Sequence, residues 1–500
     1  MRATSGSLCD RIAPDATVGA LGLLLLALAL VLMLCTGWPT YVVLLGVCSI
    51  GALAGLATGT VQPHMLAALP DRVIGLLNHD LLQALVIYGL VGALLIRLEL
   101  AGSVYGGLAH ALRPPLPRAA PALAGLLLGA LLAPINGSVG ASLITLNRST
   151  AVGWAGMPPA RRTALVAVAS TLGVLVPPSL VLLLLGDAML RAHTEGLDLA
   201  RALSFPLAAE RIRVVNTQDV MQAVLPPAAL LLLGWLALSV WVSRHDAPAP
   251  RSRPATHERV ALLVVPAALL ALLVLVASGR VRAVEGAATA GAALLLWGAV
   301  SGQLTRERLA AVLSDAMVIT GVLFALLLAA TTFSLLLRLL GTDRLVAGLV
   351  AALSSPRQTV LVVLGVLLLC AFVLDAFELT FLVVPIVMPP LLSRVGDAAW
   401  VSALVLLVLQ LGFLLPPFGY SVVLARGQTA ERPPWPVLTR ALGPYLLWLL
   451  SVTVLLVAWP EPTRWLRSAP VHLPAPDALD AQRIDDLLRE MSRPRDGQAP

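Results

Sequence analysis

Residues 170–179 read STLGVLVPPS and residues 410–419 read QLGFLLPPFG, and both lie in apolar stretches long enough to cross a bilayer. Each contains the pattern Gly-x-x-x-Pro-Pro. A Pro-Pro pair removes backbone hydrogen bonds from a helix interior, and in lipid every unsatisfied backbone group is costly. Irregular backbone at this depth persists only where it is buried in protein or lines a wet cavity. The two stretches therefore predict two membrane helices that are broken at a binding site.

An apolar segment with a polar tip precedes each broken helix. In the first half, residues 121–134 are followed by the polar tip 136–142 (NGSVGAS). In the second half, residues 359–392 carry Asp375 and Glu378 at their centre. Each segment consists of two pieces too short to cross alone, which predicts a re-entrant hairpin whose tip lies inside the membrane. The same order in both halves indicates an internal repeat, and matched interruptions of this kind point to a transporter's binding site.

The composition supports a membrane protein. Hydrophobic residues make up 58% of the 500-residue chain, charged residues only 12%, and the mean hydropathy is +0.90. Soluble domains carry about 25% charged residues, so most of this chain must be solvated by lipid. We predict an all-α polytopic membrane protein with full-length spans at 18–35, 41–56, 81–96, 163–185, 224–242, 260–277, 285–300, 315–340, 401–424 and 444–459.

The arginines predict that the repeat is inverted. Several lie around the first hairpin and in the central linker, whereas few lie around the second. By the positive-inside rule, the first hairpin enters from the cytoplasm and the second from the opposite side. The first group comprises Arg113, Arg118, Arg148, Arg161 and Arg162, the linker group Arg244, Arg251, Arg253 and Arg259, and the second-hairpin group Arg357 and Arg394.

Other function classes find little support in the sequence. The net charge of +7 is dispersed over short loops without a basic stripe, which disfavours nucleic-acid binding. The four cysteines have no paired spacing and the seven histidines are scattered, which disfavours a disulfide framework and a metal hydrolase.

These patterns divide the chain into five parts. They are an N-terminal segment (1–17), a first repeat (18–243) with its hairpin near 121–157 and its broken helix at 163–186, a cytoplasmic linker (244–259), a second repeat (260–459) with its hairpin near 359–392 and its broken helix at 401–424, and a polar tail (460–500) expected to be disordered.

The motifs resemble those of the large membrane subunit of tripartite ATP-independent periplasmic (TRAP) transporters, in order from about residue 20 to 459. The resemblance rests on the first tip 137–142, the first break 170–179 with Gly186-Asp187, the second tip 374–378 and the second break from Leu409-Gln410 to 416–419. It implies an elevator-type secondary transporter of the ion-transporter superfamily in the bacterial inner membrane. It also implies sodium-coupled uptake of an organic acid or related small solute, with a periplasmic binding protein and a small four-span membrane subunit as partners.

The second break departs from the family pattern, which is usually Asn-Leu-Gln-Thr-Ser-x-Leu-Thr before Pro-Pro. Four polar side chains are absent here, and Leu411 and Leu415 stand at two of these positions. A family member that has lost sodium coupling therefore remains an alternative, as does a stand-alone ion-coupled carboxylate transporter of the same superfamily. A membrane-embedded enzyme using Asp375 and Glu378 is a third reading, but no nucleophile elbow, metal constellation or cofactor loop accompanies the pair.

The expected binding residues lie at the two tips and the two breaks. Their oxygens suit a hard cation such as sodium, the only ion or cofactor expected. Other readings stay open: small residues let helices pack closely, hydroxyls bond to their own helix, and an acid caps a helix N-terminus. The binding set is Asn136, Gly137, Ser138, Ser142, Ser170, Thr171, Gly173, Pro177, Pro178, Ser179, Asp375, Glu378, Gln410, Gly412, Pro416, Pro417 and Gly419, with sodium placed at Ser138, Ser142, Ser170 and Asp375.

Overall fold

Every regular element that the described part of the chain contains is helical. The computed structural model describes residues 16–77, 80–98, 100–136, 138–177, 179–202, 216–244, 246, 267–268, 271–272, 274–276, 278–429 and 431–467. The expectations for the N-terminal segment, most of the central linker, most of the span 260–277 and the tail beyond residue 467 fall outside this range.

The described residues of the first half form eleven helices, numbered here in chain order. They are α1 (Ala16–Thr36), α2 (Thr40–Ala57), α3 (Pro63–Leu66), α4 (Ala68–Leu77), α5 (Asp80–Arg97), α6 (Leu100–Leu112), α7 (Ala120–Asn136), α8 (Val139–Thr150), α9 (Pro159–Leu175), α10 (Leu180–Ala202) and α11 (Thr217–Ser243).

The second half contains eight more helices among the described residues. They are α12 (Ala283–Val300), α13 (Arg306–Leu339), α14 (Thr342–Ala351), α15 (Pro356–Cys370), α16 (Ala376–Val395), α17 (Ala398–Leu414), α18 (Tyr420–Gly427) and α19 (Trp435–Ala458). Helix α16 includes one π-helical stretch at Leu379–Val383.

The helix lengths fit a chain that crosses a bilayer many times. Seven helices of the described residues are long and apolar enough to cross, and up to nine if two bent pairs each count as one span. Helix α16 differs from the other six, because 83% of its 18-residue apolar stretch is buried inside the protein, against 22–39% of the corresponding stretches in the others. It is an internal element, whereas the other six present most of their surface outward.

The first hairpin is formed by α7 and α8, and its base is closed by a tryptophan. Trp154 is fully buried, and its Nε1 donates to the carbonyl oxygen of Pro121 at 2.8 Å. Its ring meets that of Tyr105 edge to face, with centroids 6.5 Å apart. Since Tyr105 lies on α6, this contact also fixes the hairpin to the helix that precedes it.

The second hairpin is formed by α15 and α16, and capping residues define both of its outer ends. Ser355 precedes Pro356 and accepts a hydrogen bond from the backbone of Gln358, so α15 begins there. Helix α16 ends at Gly396, whose φ of 78° lets the chain turn directly into α17. Asp397 then caps α17 by accepting from the backbone N–H of Trp400 at 3.1 Å.

The broken helices are α9–α10 and α17–α18. Val176 and Leu415, which directly precede the two Pro-Pro pairs, both leave the helix with extended backbone: φ/ψ are −84°/116° and −79°/114°. A residue before proline is driven out of the helical region by the proline ring, which explains the identical geometry. The two halves of the first broken helix are bent by 44°.

Two groups of helices can be distinguished by their packing. The hairpin group consists of α7–α11 and α15–α19, in which α7 packs on α9, α10 on α16, and α11 on α17. The flanking group contains α1, α2, α5, α12 and α13. One ion pair between the groups joins Arg338 of α13 to Glu195 of α10, with Nη2 2.7 and 2.8 Å from the two carboxylate oxygens.

The element order is alike in the two halves. A long helix (α5 or α13) is followed by a short one (α6 or α14), a hairpin, a broken helix and a further long helix (α11 or α19). The core where the two halves meet is formed by the broken helices, because α9 packs on both α17 and α18. This contact positions the candidate site.

Candidate functional site

The two broken helices contact each other through buried hydroxyl groups. The Oγ atoms of Ser170 on α9 and Ser421 on α18 are 2.8 Å apart. Both hydroxyls also lie 2.9 Å from the carbonyl oxygen of Ala167. The side chains of Ser170 and Ser421 are fully buried, so this polar contact lies inside an otherwise apolar core.

At the next residue of α9, the contact continues through an amide. Nε2 of Gln410 on α17 donates to Oγ1 of Thr171 at 3.1 Å. Gln410 and Thr171 are both fully buried. Oε1 of Gln410 has no hydrogen-bond partner among the described residues. A buried carbonyl oxygen left unpaired costs about 1–3 kcal/mol, so this atom is available to a cation or another donor.

The first break ends in a helix cap. The backbone N–H of Leu182 donates to Oγ of the fully buried Ser179 at 3.1 Å, which starts α10. Gly173 is half-buried and Pro177 is buried, whereas Pro178 lies outside the described residues. The Ser179 hydroxyl therefore caps the N-terminus of α10.

At the first tip, Ser138 stands at the N-cap position of α8 in extended conformation, without a capping bond from its side chain. Ser138 is exposed, and Ser142 one turn further is 2% exposed. The exposed hydroxyl at a helix start leaves both an oxygen and backbone N–H groups accessible at the tip. Gly137 and the side chain of Asn136 lie outside the described residues.

At the second tip, the two acids form a capping box. The backbone N–H of Glu378 donates to Oδ1 of Asp375 at 2.8 Å, and the backbone N–H of Asp375 donates to Oε2 of Glu378 at 2.9 Å. The hydroxyl of Thr40, the first residue of α2, donates to Oε1 of Glu378. One oxygen of Asp375 is thus used to start α16, and Glu378 is bound to the flanking group through a threonine.

The glycines of the second break allow neighbouring parts of the chain to approach its backbone closely. A Cβ on Gly412 would lie 2.5 Å from Cβ of Ala371, in the turn that leads to the second tip. A Cβ on Gly419 would lie 2.6 Å from the carbonyl oxygen of Phe413. Both glycines act sterically, and Gly412 brings the second break against the second tip. The Pro416–Pro417 peptide bond is cis, with Pro416 half-buried and Pro417 exposed.

Tyr420, the first residue of α18, lies against the first tip and is not among the predicted binding residues. Its hydroxyl oxygen is 3.0 Å from the position that a Cβ on Gly140 would occupy, so it lies against the first tip. Its place directly after Pro-Pro-Phe-Gly was a usable signal, but an aromatic residue in a membrane helix is otherwise unremarkable in sequence.

The described contacts bring together only part of the predicted set. Ser170, Thr171 and Gln410 meet at the crossing of the broken helices, and the second break meets the second tip. The four residues expected to bind sodium are not joined by contacts among the described residues: Ser170 bonds to Ser421, and Asp375 lies in the capping box. No group of three or more His, Cys, Asp or Glu side chains within the described ranges can hold a metal ion.

The helical architecture, the many apolar spans and the polar crossing of two broken helices define a polytopic membrane transport protein. The family model of the tripartite ATP-independent periplasmic transporter, DctM component, matches residues 23–462. The chain belongs to this family, and is a TRAP transporter large permease by descent.

Two relatives carry the same family name. The chain is 28% identical over 244 residues to the sialic acid TRAP transporter permease protein SiaT of Haemophilus influenzae (strain 86-028NP), a match that spans 47% of this chain and only 39% of that protein. It is 24% identical over 347 residues to the C4-dicarboxylate TRAP transporter large permease protein DctM of Rhodobacter capsulatus, covering 68% of this chain and 76% of that one.

A solved structure has a similar fold. The YdaH transporter of Alcanivorax borkumensis matches with a TM-score of 0.57 over 82% of this chain and 91% of that chain, at 16% sequence identity. At this identity the likeness concerns the fold alone.

Proposed function

We propose that the protein is the large permease subunit of a sodium-coupled solute importer in the bacterial inner membrane. The solute, an organic acid or related small molecule, is delivered by a periplasmic binding protein, and a small four-span membrane subunit completes the complex. The observation that carries the proposal is the unpaired, fully buried Oε1 of Gln410 at the crossing of the two broken helices.

The chemistry of the crossing suits a sodium ion. The side chains of Ser170, Thr171, Gln410 and Ser421 offer oxygens, which hard cations prefer. Backbone carbonyls freed at the Pro-Pro breaks supply further oxygens at the same depth. A cation bound there would contact both halves of the chain, so its binding would order the site before the solute arrives.

An elevator-type movement is supported by the division into two groups of helices. Helices of the hairpin group approach each other at backbone distance: a Cβ on Gly129 would lie 2.4 Å from the carbonyl oxygen of Ala169, and one on Gly196 would lie 2.9 Å from that of Pro389. Such contacts favour movement of this group as one body past the flanking helices. The repeated element order and the arginine distribution support an inverted repeat.

A family member without sodium coupling is a second candidate, because apolar side chains occupy part of the second break. Leu411 is 7% exposed, and Phe413 and Leu414 are fully buried. These side chains provide no oxygen for a cation. A stand-alone carboxylate transporter of the same superfamily differs only in lacking the binding protein.

Thermal unfolding of the purified protein tests the sodium site without knowledge of the solute. A ligand that binds only the folded state stabilises it by about 2.7 kcal/mol at 100 times its Kd. We expect sodium chloride to raise the melting temperature by about 2 °C or more above potassium chloride at equal ionic strength. Gln410→Leu should abolish the difference.

The control is Ser239→Ala, which removes a fully buried hydroxyl that contacts Tyr445 at 2.8 Å, away from the crossing. It should keep the sodium effect even if its melting temperature is lower. Equal stabilisation of the wild type by sodium and potassium, or a sodium effect that survives in Gln410→Leu, would contradict the proposed site.

A further inference from the structure

An ion pair connects the two groups of helices that slide past each other in the proposed movement. We infer that Arg338 of α13 and Glu195 of α10 are positioning residues of transport. Their ion pair holds the hairpin group in the place that this structure shows, and it must break before the group can move past the flanking helices. The inference rests on the proposed function, because it names the contact that controls the elevator-type movement.

The geometry of the pair restricts it to one position of α10 along α13. Nη2 of Arg338 lies 2.7 Å from Oε1 and 2.8 Å from Oε2 of Glu195. One turn of a helix measures about 5.4 Å along its axis. A shift of α10 along α13 by a single turn therefore takes the carboxylate out of hydrogen-bond reach of the guanidinium group. The ion pair can form in only one of two positions that differ by a turn or more.

Each partner is fixed within its own group of helices. Gly196, the residue after Glu195, packs on α16, because a Cβ there would lie 2.9 Å from the carbonyl oxygen of Pro389. On the other side, Leu336 of α13 packs on α2, because a Cβ on Gly51 would lie 2.9 Å from Cδ2 of this leucine. Helix α13 also packs on α5. Glu195 therefore moves with the hairpin group, whereas Arg338 stays with the flanking group.

The helices around the ion pair are loosely packed. A cavity of about 260 Å³ adjoins the pair, with α10 and α16 on one side and α13 and α14 on the other. Leu199, Leu337 and Pro385 are among its lining residues. Protein interiors otherwise contain few voids larger than a water molecule. Because few packing contacts oppose a movement at this place, the ion pair is the specific contact that holds α10 against α13.

A distance measurement on the full-length chain tests the inference without knowledge of the solute. Spin labels are attached at Val152→Cys, at the base of the first hairpin, and at Val300→Cys, at the end of α12; these valines are 91% and 88% exposed. The four native cysteines are replaced by alanine. Pulsed electron–electron double resonance of the complex with the small membrane subunit in lipid nanodiscs gives the distribution of distances. The readout is the ratio of molecules at the distance of this structure to molecules at other distances.

Charge variants locate the effect. Arg338→Gln should lower the ratio about threefold, as expected for an ion pair whose side chains are partly exposed. Arg338→Glu should lower it further, because two carboxylates then face each other. Combining Arg338→Glu with Glu195→Arg restores the attraction and should restore the wild-type ratio. The control Arg201→Gln removes an exposed ion pair with Asp198 that lies within α10, and it should leave the ratio unchanged. Variant folding is checked by gel filtration.

Two results would overturn the inference. If two distances are present but their ratio is the same in the wild type, Arg338→Gln and Arg338→Glu, or is not restored by the charge exchange, the ion pair has no such role and the movement still stands. If one and the same distance is found in every variant, both the role of the ion pair and the elevator-type movement are contradicted. Sodium binding is judged separately by thermal unfolding, so its failure is distinguishable from either result.

Discussion

At the scale of single residues, the hydroxyls of Ser170 and Ser421 hold the two halves of the chain together close to the breaks in their helices. Each belongs to a different broken helix, and the two share the carbonyl oxygen of Ala167. Because the pair is fully buried, neither hydroxyl can be replaced by water without rearrangement. This contact gives the crossing a defined register, and the hydrogen bond between Gln410 and the adjacent Thr171 extends it to α17.

A double-mutant cycle measures the contact. Ser170→Ala and Ser421→Ala should each lower the free energy of unfolding by about 1 kcal/mol, as expected for a buried hydrogen bond. The double variant should cost less than the sum, with a coupling energy of at least about 0.5 kcal/mol. Unfolding in mixed detergent micelles provides the values.

The control for this cycle is Ser451→Ala, whose exposed hydroxyl bonds only to the Leu447 carbonyl of its own helix. It should change stability by less than about 0.5 kcal/mol. Strictly additive costs for Ser170→Ala and Ser421→Ala would mean that the two hydroxyls do not interact in the folded protein.

Residues that belong to a motif could be predicted, and residues that reach the site from elsewhere could not. Ser170, Thr171 and Gln410 were selected because they stand at fixed distances before Pro-Pro. Ser421, Tyr420 and Thr40 have no such pattern, and their partners are 251, 280 and 338 positions away in sequence. Only the folded chain brings them together. From the sequence, Asp375 could either bind a cation or cap a helix. In the structure it accepts a hydrogen bond from the backbone N–H of Glu378 and so caps α16.

At the scale of helices, small residues decide how closely the hairpin group packs. Without a hydrophobic driving force in lipid, helices associate by close van der Waals contact, which glycine permits. A Cβ on Gly129 of α7 would meet the Ala169 carbonyl oxygen of α9 at 2.4 Å. The first hairpin is thereby fixed directly to the first broken helix at Ala169, the residue before Ser170.

Gly129→Ala should therefore destabilise the protein. The added methyl group requires a backbone shift, and overpacking of this kind typically costs about 1–3 kcal/mol. Gly443→Ala in α19 is the matched control, because nothing lies within 4 Å of its Cβ position. Alanine should be neutral or stabilising there by up to about 1 kcal/mol through helix propensity. Equal effects of the two substitutions on thermal unfolding would contradict the close contact.

Helix position was more predictable than helix environment. The breaks were visible in sequence because proline acts locally, on itself and on the residue before it, as Val176 and Leu415 show. Hydropathy cannot show whether an apolar helix is surrounded by lipid or by other helices of the protein. The sequence predicts two short pieces for the second hairpin, and its second helix, α16, runs over Ala376–Val395 and is largely enclosed by α10 and its neighbours.

At the scale of the whole molecule, the structure shows how the apolar and the few polar residues are arranged. Apolar spans surround an internal group of hairpins and broken helices, and buried polar contacts concentrate where the two halves cross. The family assignment agrees with this arrangement, because residues 23–462 match the DctM component. The central claim is that the crossing couples a sodium ion to movement of a solute.

Uptake into proteoliposomes tests that claim most directly. The large subunit is reconstituted with its small membrane subunit, and the binding protein is added outside with its labelled solute. We predict solute accumulation with an inward sodium gradient, and none with a potassium gradient of equal size or in Gln410→Leu. Ser451→Ala should transport like the wild type. Accumulation that is the same under sodium and potassium gradients, or that persists in Gln410→Leu, would contradict the claim.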